Sequence, residues 1–271
     1  MARRVQSPSS INTYKQCPRK YYYQYIEKLP TKPSIHLVRG SIAHKTLEDF
    51  YELEFSGHEH EAGNHLIQHL LTLLRENWEK SEELPALGLG EDELESYYQE
   101  TQLMLVNWFN EFWKKFSAML EKGMDPHEAF TKITPVREEL YESQESGVRG
   151  YIDVIEEDDG AVNLMDYKTS KHYEITPAYR LQLAIYAYLY SLKHGKMPKK
   201  VGIYFLRHGV LFLEADERLV KEAQFEIEQI HLSTETDDME DYPKKPSPLC
   251  KWSTGECDFY KTCFKNQSKT L

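Results

Sequence analysis

Apolar residues in the first half of the chain recur at helical spacing, and beyond about residue 131 they begin to alternate. Ser7-Pro8-Ser9-Ser10 reads as a helix start, with serine caps and a proline tolerated in the first turn. The pattern predicts a helix from there to about Ile26, with Cys17 inside it, before Pro30 and Pro33 interrupt. A second helix is expected from about His36 to Phe55, with Leu47, Phe50, Tyr51 and Glu54 at helical spacing. Residues 58–131 hold few turn signals and no strand alternation. They predict helices at roughly 60–80 and 91–122 around a loop at Pro85-Ala86-Leu87-Gly88-Leu89-Gly90, together a helical lobe.

The second half predicts strands over 132–142, 147–156 and 161–167, separated by Gly147 and by the hairpin signal Asp158-Asp159-Gly160. Thr176-Pro177 opens an amphipathic helix to about Lys193. Strands near 200–206 and 209–214 flank a turn at Gly209, and Asp216 caps a helix to about His231. From Thr234 the chain is polar and proline-spotted until Cys250. This order predicts an α/β sandwich core with an inserted helical lobe, and a chain of 271 residues is long enough to bury it. The division expected is 1–30 (first helix), 31–57 (second helix), 58–131 (lobe), 132–235 (core) and 236–271 (cysteine-rich tail).

Charge changes the picture only once it is divided along the chain. The net charge of −11 looks adverse for binding nucleic acid. Yet residues 1–28 carry six Lys and Arg against one Glu, for +5, and residues 244–271 carry six Lys against two acids, for +4. The stretch between holds −20, and phosphate binding follows the local field. Basic termini are also common in proteins with no such role. The start, MARRVQSPSS, leads into no apolar stretch, and the longest apolar-leaning run, 181–192, is broken by Gln182. The expectation is a cytoplasmic protein with no membrane partner. The sequence holds no P-loop, GxSxG or HExxH motif, which argues against a nucleotide-driven motor, a serine hydrolase of that type and a zinc protease. His65 and His69, and His58-Glu59-His60-Glu61, then read as helix faces rather than metal sites.

Two strand-borne pieces suggest chemistry. Asp153 lies in Gly150-Tyr151-Ile152-Asp153-Val154, and Asp166 and Lys168 lie in Leu164-Met165-Asp166-Tyr167-Lys168-Thr169. The hairpin between them allows the two aspartates to approach, and Asp166 and Lys168, two apart, share a strand face. Adjacent carboxylates repel unless a cation separates them, and hard oxygen ligands suit Mg²⁺ or Mn²⁺. Such an ion activates water and stabilises phosphoryl charge, and an ammonium beside it orients the water or neutralises the phosphate. An isolated D-x-K triplet is more often a surface ion pair. Gln182 and Tyr186, four apart in Gln182-Leu183-Ala184-Ile185-Tyr186, share one helix face.

Together these segments resemble the core of the RecB-like PD-(D/E)XK nucleases, and within them the CRISPR-associated RecB-like exonucleases. The resemblance covers both ends of the chain and residues 36–50 and 145–190. It implies a restriction-endonuclease-like core, a central mixed sheet flanked by helices. It also implies that His44, in Arg39-Gly40-Ser41-Ile42-Ala43-His44, ligates the metal with Asp153, Asp166 and the Tyr167 carbonyl. Lys168 would be the catalytic lysine, with Gln182 and Tyr186 holding substrate or lysine.

The four cysteines are Cys17, Cys250, Cys257 and Cys263, three of them clustered near the C-terminus. Such clustering inside a cell favours metal over disulfide, and four thiolates suit either zinc or a [4Fe–4S] cluster. The family's iron–sulfur staple, one cysteine before the nuclease core and three after, resembles this layout and favours the cluster. Six residues separate Cys250 from Cys257 where the family usually has two. Ligation would join the termini and gather the basic ends, where Arg19, Lys20 and Tyr21 to Tyr23 could line a strand-binding groove unless the tyrosines simply pack.

The resemblance implies a divalent-metal-dependent DNA exonuclease acting on single-stranded or frayed DNA, in CRISPR adaptation, recombination or repair, alongside an integrase or helicase. The competing expectations are a non-catalytic DNA-binding scaffold stapled by its cysteines, and a zinc-stapled regulator.

Overall fold

The computed structural model describes residues 4–55, 62–158, 160–253 and 255–264. The expected helix start at His58-Glu59-His60-Glu61, and Asp159 of the expected hairpin turn, lie outside them. The chain begins with α1 (Pro8–Gln16), α2 (Pro18–Tyr21) and a π-helical turn (Tyr22–Ile26). The helices α3 (Ile35–Phe50), α4 (Ala62–Glu79), α5 (Glu83–Ala86), α6 (Glu91–Glu121) and α7 (Pro126–Ile133) follow. The core then runs β1 (Val136–Ser143), β2 (Val148–Asp158), β3 (Ala161–Lys168), α8 (Pro177–His194), β4 (Lys200–Phe205), β5 (Gly209–Glu214) and α9 (Glu217–Ser233). A hairpin of β6 (Lys251–Trp252) and β7 (Gly255–Glu256), then α10 (Tyr260–Phe264), finishes the described chain.

The five strands β1 to β5 lie in sequence order, with β3 and β4 parallel and every other neighbouring pair antiparallel. A parallel pair needs a crossover, and α8 supplies it. Along β3 the pleat divides the two cores. Val162 and Leu164 join the apolar cluster of α1, α8 and α9, while Met165 and Tyr167 join that of α3, α4, α6 and α7. The chain is thus an α/β fold whose mixed central sheet is flanked by helices on both faces. The long α6 buries a stripe through Met104, Leu105, Trp108, Phe112 and Phe116, with Phe50 of α3 packed edge-on against Trp108 and Phe112. Among the described residues no helix is long and apolar enough to cross a membrane.

Local chemistry explains where the sequence expectations shift. The single helix expected up to Ile26 is broken at Cys17, whose backbone is extended (φ −160°, ψ 113°). Pro18 causes this, because it disfavours a helical conformation in the preceding residue and then starts α2 at its own fixed φ. The second helix stops at Phe50 rather than Phe55, although Tyr51 and Phe55 still turn into the same apolar cluster. The first strand begins at Val136 rather than residue 132 because Asp125 caps α7, accepting from the backbone of His127 and Glu128 with Pro126 next to the cap. The tail packs on the N-terminal segment: Tyr242 stacks on Tyr21, with ring centroids 6.1 Å apart, and Phe259 packs on Tyr23.

One irregularity sits where the site forms. Ile152 belongs to the cluster beside α8 and Val154, two residues on, to the opposite one, so alternation fails at Asp153. Across the ladder Glu138 adopts a left-handed φ of 47°, and no ladder pair joins it to Asp153 although its neighbours Arg137 and Glu139 pair with Val154 and Ile152. A non-glycine residue in this region costs about 1–2 kcal/mol, a strain that recurs at functional sites.

Candidate active site

Antiparallel register sets Asp153 of β2 opposite Asp166 of β3, as Val154 pairs with Met165 beside them. The Asp153 Oδ2 accepts from the Tyr167 backbone N–H at 2.8 Å and lies 3.2 Å from Nδ1 of His44, which α3 brings in over the end of β3. The other ring nitrogen of His44, Nε2, is 2.9 Å from the Tyr167 carbonyl. A carbonyl only accepts, so Nε2 carries the proton and the lone pair of Nδ1 faces the carboxylates. Burial lowers the pKa of His44, which keeps the ring neutral and able to ligate. The Tyr167 carbonyl, expected as a metal ligand, thus accepts from His44 in this state.

Asp166 is held from both sides. Its Oδ1 accepts from Gln182 Nε2 at 2.6 Å and from the Tyr186 hydroxyl at 3.3 Å, while Oδ2 pairs with the Lys168 ammonium. Gln182 also donates to the Tyr186 hydroxyl at 2.7 Å, so the helix pair expected to hold substrate or lysine holds the carboxylate. Gly150 makes room for this, since a Cβ there would come within 3.0 Å of the Tyr186 ring. Burial, then the neighbouring Asp166 carboxylate, pushes the pKa of Asp153 well above the usual range. Burial alone would lower Lys168, but Asp166 and Asp153 outweigh it and leave the ammonium favoured.

One residue was missed. Among the described residues, the one group of three or more His, Cys, Asp and Glu ligand atoms within 4.8 Å of one another is His44, Glu138 and Asp153. Glu138 Oε1 is 4.0 Å from His44 Nδ1, and burial followed by the charge of Glu48 raises its pKa. No sequence signal marked it, because the strand pairing is distorted at Glu138 and the strand shows no clean alternation. Asp166 stands outside this tightest group, engaged by Gln182, Tyr186 and Lys168. Mutually repelling carboxylates beside a neutral imidazole could hold a divalent cation.

The four thiols gather at the far end of the chain. Cys17, Cys250, Cys257 and Cys263, all half-buried and free, line one cavity of about 200 Å³ with Lys20, Tyr23 and Trp252. The break at Cys17 turns its side chain toward the tail, and Cys257 N–H donates to the Cys250 carbonyl at 3.0 Å. Burial raises the thiol pKa of Cys257 and of Cys263. The packing alternative describes the tyrosines: Tyr21, Tyr22 and Tyr23 are buried in the aromatic cluster with Tyr242, although Tyr23 also edges the cavity, and buried Arg19 donates to the Tyr242 carbonyl at 2.7 Å. His65 and His69 pack against Phe55 and Phe50.

A mixed sheet that offers carboxylates and a lysine from adjacent strands, with a histidine from the covering helix, defines a class of phosphodiester-cleaving enzymes. The chain belongs to the PD-(D/E)XK nuclease superfamily, whose family model matches residues 6–264. Nucleases of this superfamily use divalent metals. The chain is 25% identical over 214 residues to the gene 69 protein of Mycobacterium phage D29, covering 74% of each. It is 23% identical over 228 residues to the gene 69 protein of Mycobacterium phage L5, covering 74% of this chain and 76% of the phage protein. A crystal structure from Eubacterium rectale, described as a "putative exonuclease", shares the fold with a TM-score of 0.51 at 14% identity, over 100% of this chain and 90% of that one.

Proposed function

We propose that the protein is a divalent-metal-dependent DNA exonuclease that trims single-stranded or frayed ends. The observation that carries this is the convergence of His44, Asp153, Asp166 and Lys168 at the end of β3, with Asp166 oriented by Gln182 and Tyr186. His44, Asp153 and Asp166 would hold Mg²⁺ or Mn²⁺, with Glu138 within reach. The bound ion would supply an activated water and charge stabilisation at the phosphoryl group. Lys168 stays protonated beside Asp166, so its role is to orient the attacking water and offset developing charge, not to accept a proton. Gln182 and Tyr186 keep the Asp166 carboxylate from rotating.

The same reading assigns a [4Fe–4S] cluster to the four cysteines. What supports it is the layout of one cysteine before the core and three after it, and that all four thiols line one cavity. Anaerobic purification should give a brown protein with about four iron atoms per chain, and stoichiometric zinc without iron refutes this part.

The test of the activity is degradation of linear and circular single-stranded DNA, each labelled, with Mg²⁺, Mn²⁺ or chelator. The account expects metal-dependent loss of the linear substrate and survival of the circle. Cleavage of the circle makes the enzyme an endonuclease, and cleavage of neither removes the proposal.

A further inference from the structure

Beside the metal-binding residues lies a second charged cluster that the chemistry above does not use. Glu100 of α6 receives Arg39 from α3 at 2.8 Å and Arg207 from the β4–β5 turn at 2.6 Å, both on the single oxygen Oε2. Lys171, just past β3, stands 3.9 Å from its other oxygen. Three cations therefore share one carboxylate, an excess of positive charge at a site where the Arg39 side chain is only 3% exposed. The Arg39 Nε and the Arg207 Nε are both buried without a hydrogen-bond partner among the described residues. Each guanidinium thus gives Glu100 Oε2 one hydrogen bond while its buried Nε–H stays unmade, and a buried donor left unmade is costly. The cluster is also braced: Arg39 lies over the Tyr97 ring at 5.3 Å, and the His208 ring is 3.1 Å from the Lys171 carbonyl.

Its position matters as much as its charge. Arg39 precedes His44 by five residues on one helix, about 7.5 Å along the axis. Lys171 follows Lys168 by three residues, and Arg207 follows Leu206, whose N–H donates to the Lys168 carbonyl at 3.0 Å. All three cations therefore stand on segments that adjoin the candidate active site, within reach of a neighbouring phosphate of a strand bound there. A phosphate, with several oxygens and up to two charges, would satisfy the forks that a single carboxylate oxygen leaves unfilled.

We infer that Arg39, Arg207 and Lys171 form a phosphate-binding site for the nucleic-acid strand beside the cleavage centre, and that Glu100 occupies it in the free protein. This rests on the nuclease reading for the identity of the ligand, but not for the existence of the site. A strand phosphate displaces Glu100, which swings toward solvent from its half-exposed position. The carboxylate thereby keeps the cations ordered in the free protein and makes binding of weaker anions less favourable.

The experiment is a titration of inorganic phosphate into the full chain in metal-free, chelator-containing buffer, followed by thermal shift at ionic strength matched with chloride. Wild type, Arg207→Gln, Lys171→Gln and Glu100→Gln are compared; buried Arg39 is left intact because its loss threatens the fold. Saturable stabilisation is expected for wild type, with affinity about tenfold weaker in Arg207→Gln and tighter in Glu100→Gln. A purely structural ion-pair clamp predicts instead that Glu100→Gln loses stability with no gain in phosphate affinity. That result, or equal affinity in wild type and Arg207→Gln, overturns the inference. Oligonucleotides with 5′-phosphate, 5′-hydroxyl and 3′-phosphate ends then separate the sources. A preference for one terminal phosphate, abolished in Arg207→Gln, assigns a terminal monoester, and uniform weakening assigns an internal diester. Phosphate binding in a protein that cleaves no DNA would leave this site standing and remove the nuclease reading alone.

Discussion

Gln182 donates to Oδ1 of Asp166 at 2.6 Å from one turn of α8, and Tyr186, one turn on, donates to the same atom at 3.3 Å. The helix thereby fixes one oxygen of the carboxylate and leaves the other to Lys168. Asp166 needs such partners because it is buried and cannot be oriented by water.

Replacing Gln182 with Leu should therefore lower kcat by about 10–100-fold through misorientation of Asp166, with little change in affinity for DNA. Steady-state kinetics beside a DNA-binding titration checks this. A loss confined to KM would make Gln182 a substrate contact instead.

Gly150→Ala tests the same geometry from the other side. The added Cβ meets the Tyr186 ring at 3.0 Å, tighter than ordinary contact, so the ring must move and its bond to Asp166 must lengthen. Activity should fall while thermal stability drops by only a few degrees. Full activity in this variant would show that Tyr186 does not position Asp166.

Asp153 gives a stability prediction with a defined sign. Its folded-state pKa is raised by burial and by Asp166. The folded state then holds the proton longer than the unfolded state, so the stability of the metal-free protein falls as pH rises from the ordinary carboxylate range through the raised value. Asp153→Asn should thus raise the melting temperature of the metal-free protein near neutral pH, at about 2–4 °C per kcal/mol, while abolishing cleavage. A lower melting temperature in the variant would mean that ionised Asp153 stabilises the fold.

Alkaline conditions probe the joined termini. Burial pushes Tyr242 up to about 12, so the folded state keeps a phenolic proton that the unfolded state loses near ~10. Stability contributed by this group is present below that range and is lost as pH rises toward 12. Tyr242→Phe also loses a hydrogen bond to the Thr236 carbonyl, at 2.7 Å in the wild type. It should cost about 1 kcal/mol at neutral pH yet flatten the alkaline fall in a melting-temperature profile. An unchanged alkaline slope would assign that fall to other groups.

What could be read from the chain follows from how local each signal is. Asp166 and Lys168 were legible because a strand's period of two places them together, and Gln182 with Tyr186 because a helix's period sets four residues on one face. Thr176 and Asp216 marked their helix starts, and Gly209 its turn. Pro18 carried the break at Cys17, but the helical periodicity on either side obscured it. Glu138 was illegible because it enters through a distorted strand pairing that simple alternation does not predict. The grouping of Arg39, Glu100 and Arg207 was beyond reach for a different reason. These residues come from three elements, Glu100 lying 61 residues from Arg39 and 107 from Arg207 in sequence, and only the packed structure brings them together.

The most direct test of the central claim is single-turnover cleavage of end-labelled single-stranded DNA in Mn²⁺ by wild type and Lys168→Ala, purified in parallel, with binding measured in the presence of chelator. The account predicts metal-dependent cleavage by wild type, a loss of about a hundredfold or more in the variant, and similar DNA affinity in both. Equal cleavage by the two proteins, at equal purity, would contradict it.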